Sequence, residues 1–192
     1  MRLRNTYFIL RHGQTIYQTK KRQRSYPLPQ KNSVKLIKKG QSQIKKAGRA
    51  LKKEKIDIIY SSDFLRTRQT AKIIAKKLAK KIIFDKRLRD INLGVYRGKS
   101  RARFRRDFPL SASKKRFAKR PKGGESWEDV RKRMAEFLKE IDEKQRNKTI
   151  LIVSHGDPLW LLEGVVRGWS GKKLIYEKLA GRYIKTGGLR KL

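Results

Sequence analysis

The chain has 192 residues, 54 of them Lys or Arg and 16 Asp or Glu, for a formal net charge of +38. That length suits one domain with a sizeable core, and its hydrophobic residues, 37% of the total, gather in clear runs that argue against disorder. The chain has no cysteine, which excludes disulfides, thiolate metal sites and a cysteine nucleophile.

In chain order, TYFIL (6–10) reads as a strand. This first apolar run is too short for a signal peptide or a membrane span, so a cytoplasmic location and no membrane partner are expected. Residues 16–33 look irregular, with Pro27 and Pro29. Over 34–53, Ile37, Ile44, Ala47, Gly48 and Leu51 fall on one helical face, and lysines cover the rest. IDIIYSS (56–62) reads as a second strand, 63–79 as a helix with Leu65, Ala71, Ile74, Ala75 and Leu78 inward, and KIIF (81–84) as a third strand.

The segment 92–124 is rich in Gly, Pro, Arg and Phe and reads as an excursion that covers part of the sheet. Residues 127–141 carry Trp127, Val130, Met134, Phe137, Leu138 and Ile141 at helical spacing, with Ser126 as N-cap and Asp129 in the first turn. TILIVS (149–154) is a strand, and the tail YIKTGGLRKL is suited to an edge strand. Nearly continuous apolar strands are buried on both faces. The expectation is therefore one α/β domain over 1–192: a three-layer sandwich with a largely parallel central sheet and helices on both faces.

The chain has only two histidines, His12 and His155. Each follows an apolar strand and precedes a glycine. In open α/β sheets ligands bind at the carboxyl ends of strands. If strands 6–10 and 149–154 are parallel neighbours, both imidazoles meet at one edge. Gly13 and Gly156 would let the backbone turn sharply and a ligand approach. Arg66, in the first turn of the helix after the second strand, and Arg11, beside His12, offer planar cationic forks for a phosphoryl group.

Together LRHGQT, SSDFLRTRQTA, GGES and VSHG resemble the histidine phosphatase superfamily, which includes the cofactor-dependent phosphoglycerate mutases. The resemblance spans about residues 6 to 165. It implies that His12 is the nucleophile that accepts the phosphoryl group. It implies that Arg11, Arg66 and His155 hold the phosphoryl oxygens, and that no metal or other cofactor is needed. In the family an acid, usually glutamate, follows the third strand. Here LRDINLGVYRG places Asp90 at that position, one methylene shorter, as general acid and then as base for water. Gln18 stands where asparagine is usual and keeps an amide for phosphate. Gly13 belongs to the same loop, and Glu125 matches a position near the site in the phosphatase branches. For Glu125 a role as a helix-start acid beside Ser126 reads equally well.

The resemblance points to a metal-independent phosphomonoester hydrolase acting through a phosphohistidine on small phosphorylated metabolites. The short chain and the PKGGESWEDV stretch favour the phosphatase branches over a phosphoglycerate mutase. A third reading is a binding module docked on RNA or another polyanion, with catalysis weak or lost through Asp90. The charge admits two readings of its own. A field of +38 attracts polyanions, including nucleic acid, whereas lysines spread along helices also make an ordinary solvated coat. In the covering segment, Arg97, Arg101, Arg103, Arg105, Arg106, Lys114, Lys115 and Arg116 read as a second anion site or as a solvated lid. Nothing in the residues fixes an oligomeric state.

Overall fold

The computed structural model describes residues 3–19, 24–27, 30–109 and 117–192. Pro29, Lys114, Lys115 and Arg116, singled out above, lie outside the described residues. Five strands form one sheet: β1 (Thr6–Arg11), β2 (Ile58–Ser61), β3 (Ile82–Phe84), β4 (Thr149–Ser154) and β5 (Leu189–Lys191). The order is β3-β2-β4-β1-β5, parallel throughout except for β5, which pairs antiparallel with β1. The tail does form the expected edge strand.

Strand alternation builds two cores. On one face Phe8, Leu10, Ile59, Leu151 and Val153 pack against α1 (Lys38–Leu51) and α2 (Leu65–Leu78). On the other, Tyr7, Ile9, Tyr60, Ile150 and Ile152 pack against α4 (Trp127–Lys144) and α5 (Gly156–Val166). Between these layers in sequence lies α3 (Arg101–Asp107), and α6 (Gly171–Leu179) follows α5. Each fully buried Ile, Leu or Phe contributes roughly 1.5–3 kcal/mol of transfer free energy. This is the three-layer α/β sandwich that the hydrophobic pattern demanded.

Helix starts follow local chemistry. Ser126 and Asp129 form a reciprocal capping box at α4, as their spacing predicts. At α2 the serines and aspartate do not cap. The N-cap is Phe64, with no side-chain bond to the helix. Asp63 instead pairs with Arg89 through two bonds of 2.7 and 2.6 Å, and Ser62 turns toward His155.

The register positions the site. β1 and β4 pair Arg11 with Ser154, and the His12 amide donates to the Ser154 carbonyl at 3.0 Å. His12 and His155 thus leave the sheet side by side. The chain then departs from β1 toward the α1 layer and from β4 into α5 on the opposite face, which opens a crevice between these two strands.

The covering segment is tied to the loop after β1. The Ser25 amide donates to the Lys99 carbonyl at 3.0 Å and the Gly98 amide to the Tyr26 carbonyl at 3.1 Å. Arg101 donates to the Tyr17 carbonyl at 2.7 Å. Tyr96, Phe104 and Phe108 cluster beneath, with the Phe104 and Phe108 rings stacked 5.1 Å apart. Among the described residues, no helix is long and apolar enough to cross a membrane.

Candidate active site

His12 is buried, and its Nδ1 lies 2.8 Å from the Gly13 carbonyl oxygen. A carbonyl only accepts, so Nδ1 carries the proton and donates. The neutral ring then holds its lone pair on Nε2. Burial first, then the charges of Arg66 and Arg11, hold the His12 pKa well below the usual histidine value. The ring is therefore neutral at ordinary pH.

The His155 ring lies 5.3 Å from that of His12, centroid to centroid. Its Nε2 is 2.9 Å from Ser62 Oγ and its Nδ1 is 3.8 Å from Asp90 Oδ2. Burial, Arg66, His12, Arg11 and Arg133 hold its pKa well down too. His155 Nδ1 and Arg11 Nε are buried and make no hydrogen bond among the described residues. A buried polar atom left so costs free energy. A phosphoryl oxygen between strands β1 and β4 would supply the missing acceptor to Arg11.

Arg66 is fully buried, and its Nη2 donates to Asp90 Oδ2 at 3.1 Å. Its guanidinium carbon lies 3.9 Å from the centroid of the Tyr26 ring and 5.1 Å from that of Phe64. Asp90 follows β3 and keeps 17% side-chain exposure, open to water at one edge. Burial pushes its carboxyl above the usual carboxylate range, against the opposing pull of Arg66, and Asp157 adds to the rise. The chain thus supplies a neutral imidazole, two fixed cations and a carboxyl group in one place.

Arg11 donates through Nη1 to the Ile184 carbonyl at 3.1 Å. Its guanidinium covers Gly156: a Cβ there would lie 2.9 Å from Arg11 Cζ. The glycine after His155 is needed for this close approach and not, as expected, for a sharp turn. Gly13 is corrected likewise. Neither glycine has positive φ. The Gly13 amide already donates to Thr70 Oγ1 at 3.2 Å, and a Cβ on Gly13 would lie 2.5 Å from the Gly40 carbonyl oxygen. Gly13 seats α1 against the His12 loop, and its amide is already taken by Thr70.

Gln18 is another correction. Its Oε1 accepts from the Thr15 amide and hydroxyl, each at 2.9 Å, and its Nε2 donates to the Tyr26 hydroxyl. The amide holds Tyr26 over Arg66 instead of facing phosphate. Glu125 accepts from Arg133 Nε at 2.8 Å and from the Asn92 amide at 2.8 Å. Arg133 also donates to the carbonyls of Arg87 and Asp90. Glu125 therefore braces the loop that carries Asp90. Asp157 accepts from Trp127 Nε1 at 3.1 Å and pairs with Lys178, which occupies it structurally.

Sequence reasoning missed Tyr26, the Ser62–His155 bond and the Ile184 carbonyl. No local pattern marks them, because each reaches the site from a loop or tail placed by long-range pairing. Among the described residues, no group of three or more His, Asp or Glu is arranged to hold a metal ion.

Comparison with known proteins agrees with this geometry. The family model of the histidine phosphatase superfamily, branch 1, matches residues 7–179. The chain is 29% identical over 170 residues to a probable phosphoglycerate mutase GpmB of Erwinia tasmaniensis, covering 84% of this chain and 74% of that protein. Among solved structures, YhfR of Bacillus stearothermophilus superposes with a TM-score of 0.81 at 26% identity, over 97% of this chain and 90% of that one. A mycobacterial glucosyl-3-phosphoglycerate phosphatase gives 0.80 at 24% identity, over 97% and 89%, a likeness of fold.

Proposed function

The chain belongs to the histidine phosphatase superfamily, and from that premise we propose that it hydrolyses phosphate monoesters of small metabolites through a phosphohistidine at His12, without a metal. The observation that carries the reading is the fixed tautomer of His12. Its Nδ1–H is spent on the Gly13 carbonyl at 2.8 Å, so Nε2 is the attacking atom.

Substrate phosphate sits between Arg11, Arg66 and His155. His12 Nε2 attacks phosphorus in line; the N–P bond forms as the ester P–O bond breaks. The leaving oxygen takes the proton of Asp90, which its burial keeps available. Water, admitted at the partly exposed edge of Asp90, then attacks the phosphohistidine. Asp90, now a carboxylate, takes the proton from water, the N–P bond breaks, and neutral His12 returns. One hard displacement becomes two easier ones. The arginines stabilise the equatorial charge, each well-aimed donor contributing about 2.7–4 kcal/mol at the transition state.

The test is rapid-quench labelling with a phosphate-labelled substrate. Acid-labile, base-stable label on the peptide containing His12, absent in His12→Ala, supports the reading; hydrolysis of aryl phosphates without any such label overturns it. The name of the Erwinia relative favours a second reading, phosphoglycerate mutase. A mutase would interconvert 2- and 3-phosphoglycerate after priming and release little free phosphate.

A further inference from the structure

The layer formed by α1 and α2 has a property that the reaction does not use. The chain holds no Asp or Glu before Glu54, and none from 64 to 84. The opposite helices carry nine of the sixteen carboxylates, six in α4, two in α5 and one in α6. There many basic residues are paired, as in Lys144–Glu140, Arg167–Glu163 and Lys173–Glu177. On the α1–α2 layer Lys45, Arg49, Lys52, Lys72, Lys76 and Lys77 are all exposed. Among the described residues none of these six forms an ion pair.

These charges form one surface. The two helices touch at Gly48, where a Cβ would lie 3.1 Å from Lys77 Cδ and 3.2 Å from Ile74 Cδ1. Lys45 and Lys52 stand three residues before and four after Gly48, on the same ridge, so they flank the seam that Lys77 crosses. Fourteen residues of α1 make a row about 21 Å long. A duplex presents one phosphate charge per about 1.7 Å of axis, or about a dozen over that length.

We propose that the α1–α2 face docks on the phosphate backbone of double-stranded nucleic acid, without regard to base sequence. The face has the chemistry for backbone contact and lacks two features that unpaired bases and lipid tails would use. Neither helix contains an aromatic residue, so unpaired bases have no platform to stack on. Neither presents an exposed large apolar side chain, so lipid tails have nothing to receive. The exposed Ile83 and Phe84 belong to the edge strand β3, outside the helix pair.

The test uses the full chain and two variants with equal net charge. One carries Lys45→Gln, Lys52→Gln, Lys76→Gln and Lys77→Gln. The control carries Lys122→Gln, Lys132→Gln, Lys139→Gln and Lys172→Gln, exposed lysines elsewhere. Binding to two unrelated DNA duplexes of about 20 base pairs is followed by anisotropy across a salt series, at about 0.9 units of slope per phosphate contact. The wild type should bind both duplexes alike. The face variant should bind at least tenfold more weakly and flatten the slope by about 3 to 4. The control should lose less than one unit of slope. Both variants should keep wild-type hydrolysis of an aryl phosphate, which separates this proposal from the hydrolytic one. Equal losses in the two variants, a preference between duplexes, or binding to phosphatidylserine vesicles with none to duplex would each overturn it.

Discussion

The Asp90 carboxylate accepts a hydrogen bond from Arg66 at 3.1 Å, yet burial outweighs that cation and holds the carboxyl pKa above its usual value. One contact therefore does two things. It aims the acid, and it keeps the acid from rising further. Asp90→Asn should lower kcat/KM, which reports the first displacement, for alkyl phosphates about 10²–10⁴-fold, the usual span for general acid catalysis. Aryl phosphates, whose leaving oxygen needs no proton, should lose far less. Parallel steady-state assays on the two ester classes check this, and equal losses would remove Asp90 from the acid role.

The pH profile follows from the two shifted groups. His12 must be neutral to attack, so kcat/KM falls as pH drops through its depressed pKa. Asp90 must be protonated to donate, so kcat/KM falls as pH rises through its elevated pKa. Arg66 lowers both values. Arg66→Gln should therefore move both limbs to higher pH, besides weakening catalysis. A profile that only drops, with its limbs unmoved, would contradict the assigned couplings.

Gly156→Ala tests the close approach of Arg11. The new methyl would lie 2.9 Å from Cζ, so the guanidinium must swing off its place. Vanadate inhibition should weaken at least tenfold, about 1.4 kcal/mol or more. Gly156 is the first residue of α5, where alanine's advantage over glycine stays below the about 1 kcal/mol of a helix interior, so the denaturation midpoint should hold. A fall in both readouts would mean general damage instead.

Tyr26 and Gln18 act through Arg66. Tyr26→Phe keeps the ring over the guanidinium at the cost of the Gln18 bond; cation–π attraction is worth about 0.5–2 kcal/mol. The Phe variant should keep kcat within about threefold, whereas Tyr26→Ala should lower kcat/KM about tenfold. Retention of full activity by Tyr26→Ala would deny the ring a positioning role.

Much of the site was legible because register is a sequence property. Two apolar runs of similar length, each ending in His-Gly, specify parallel neighbours whose ends align, and the structure pairs Arg11 with Ser154 accordingly. Gln18, Gly13 and Glu125 have nearer partners than sequence spacing shows. The Gln18 amide and the Gly13 N–H suit phosphate by type and Glu125 suits a cation, and in the structure they are held by Thr15 and Tyr26, Thr70, and Arg133 respectively. Competition among donors and acceptors is settled by three-dimensional proximity, which spacing does not encode. Ser62 shows the converse, a strand-end residue given no role by its spacing that bonds the His155 ring.

The sheet order has a consequence for how activity arises. β1, which delivers His12, lies between β4 (Thr149–Ser154) and β5 (Leu189–Lys191). The amides of Gly187 and Leu192 donate back to Arg11 and Tyr7. Both neighbours follow β1 in sequence by more than 130 residues. Such distant pairing slows folding, and β1 is flanked on both sides only after β4 and β5 have docked. The seating of His12 beside His155 is thus a late event in folding, set by long-range pairing and not by the local turn.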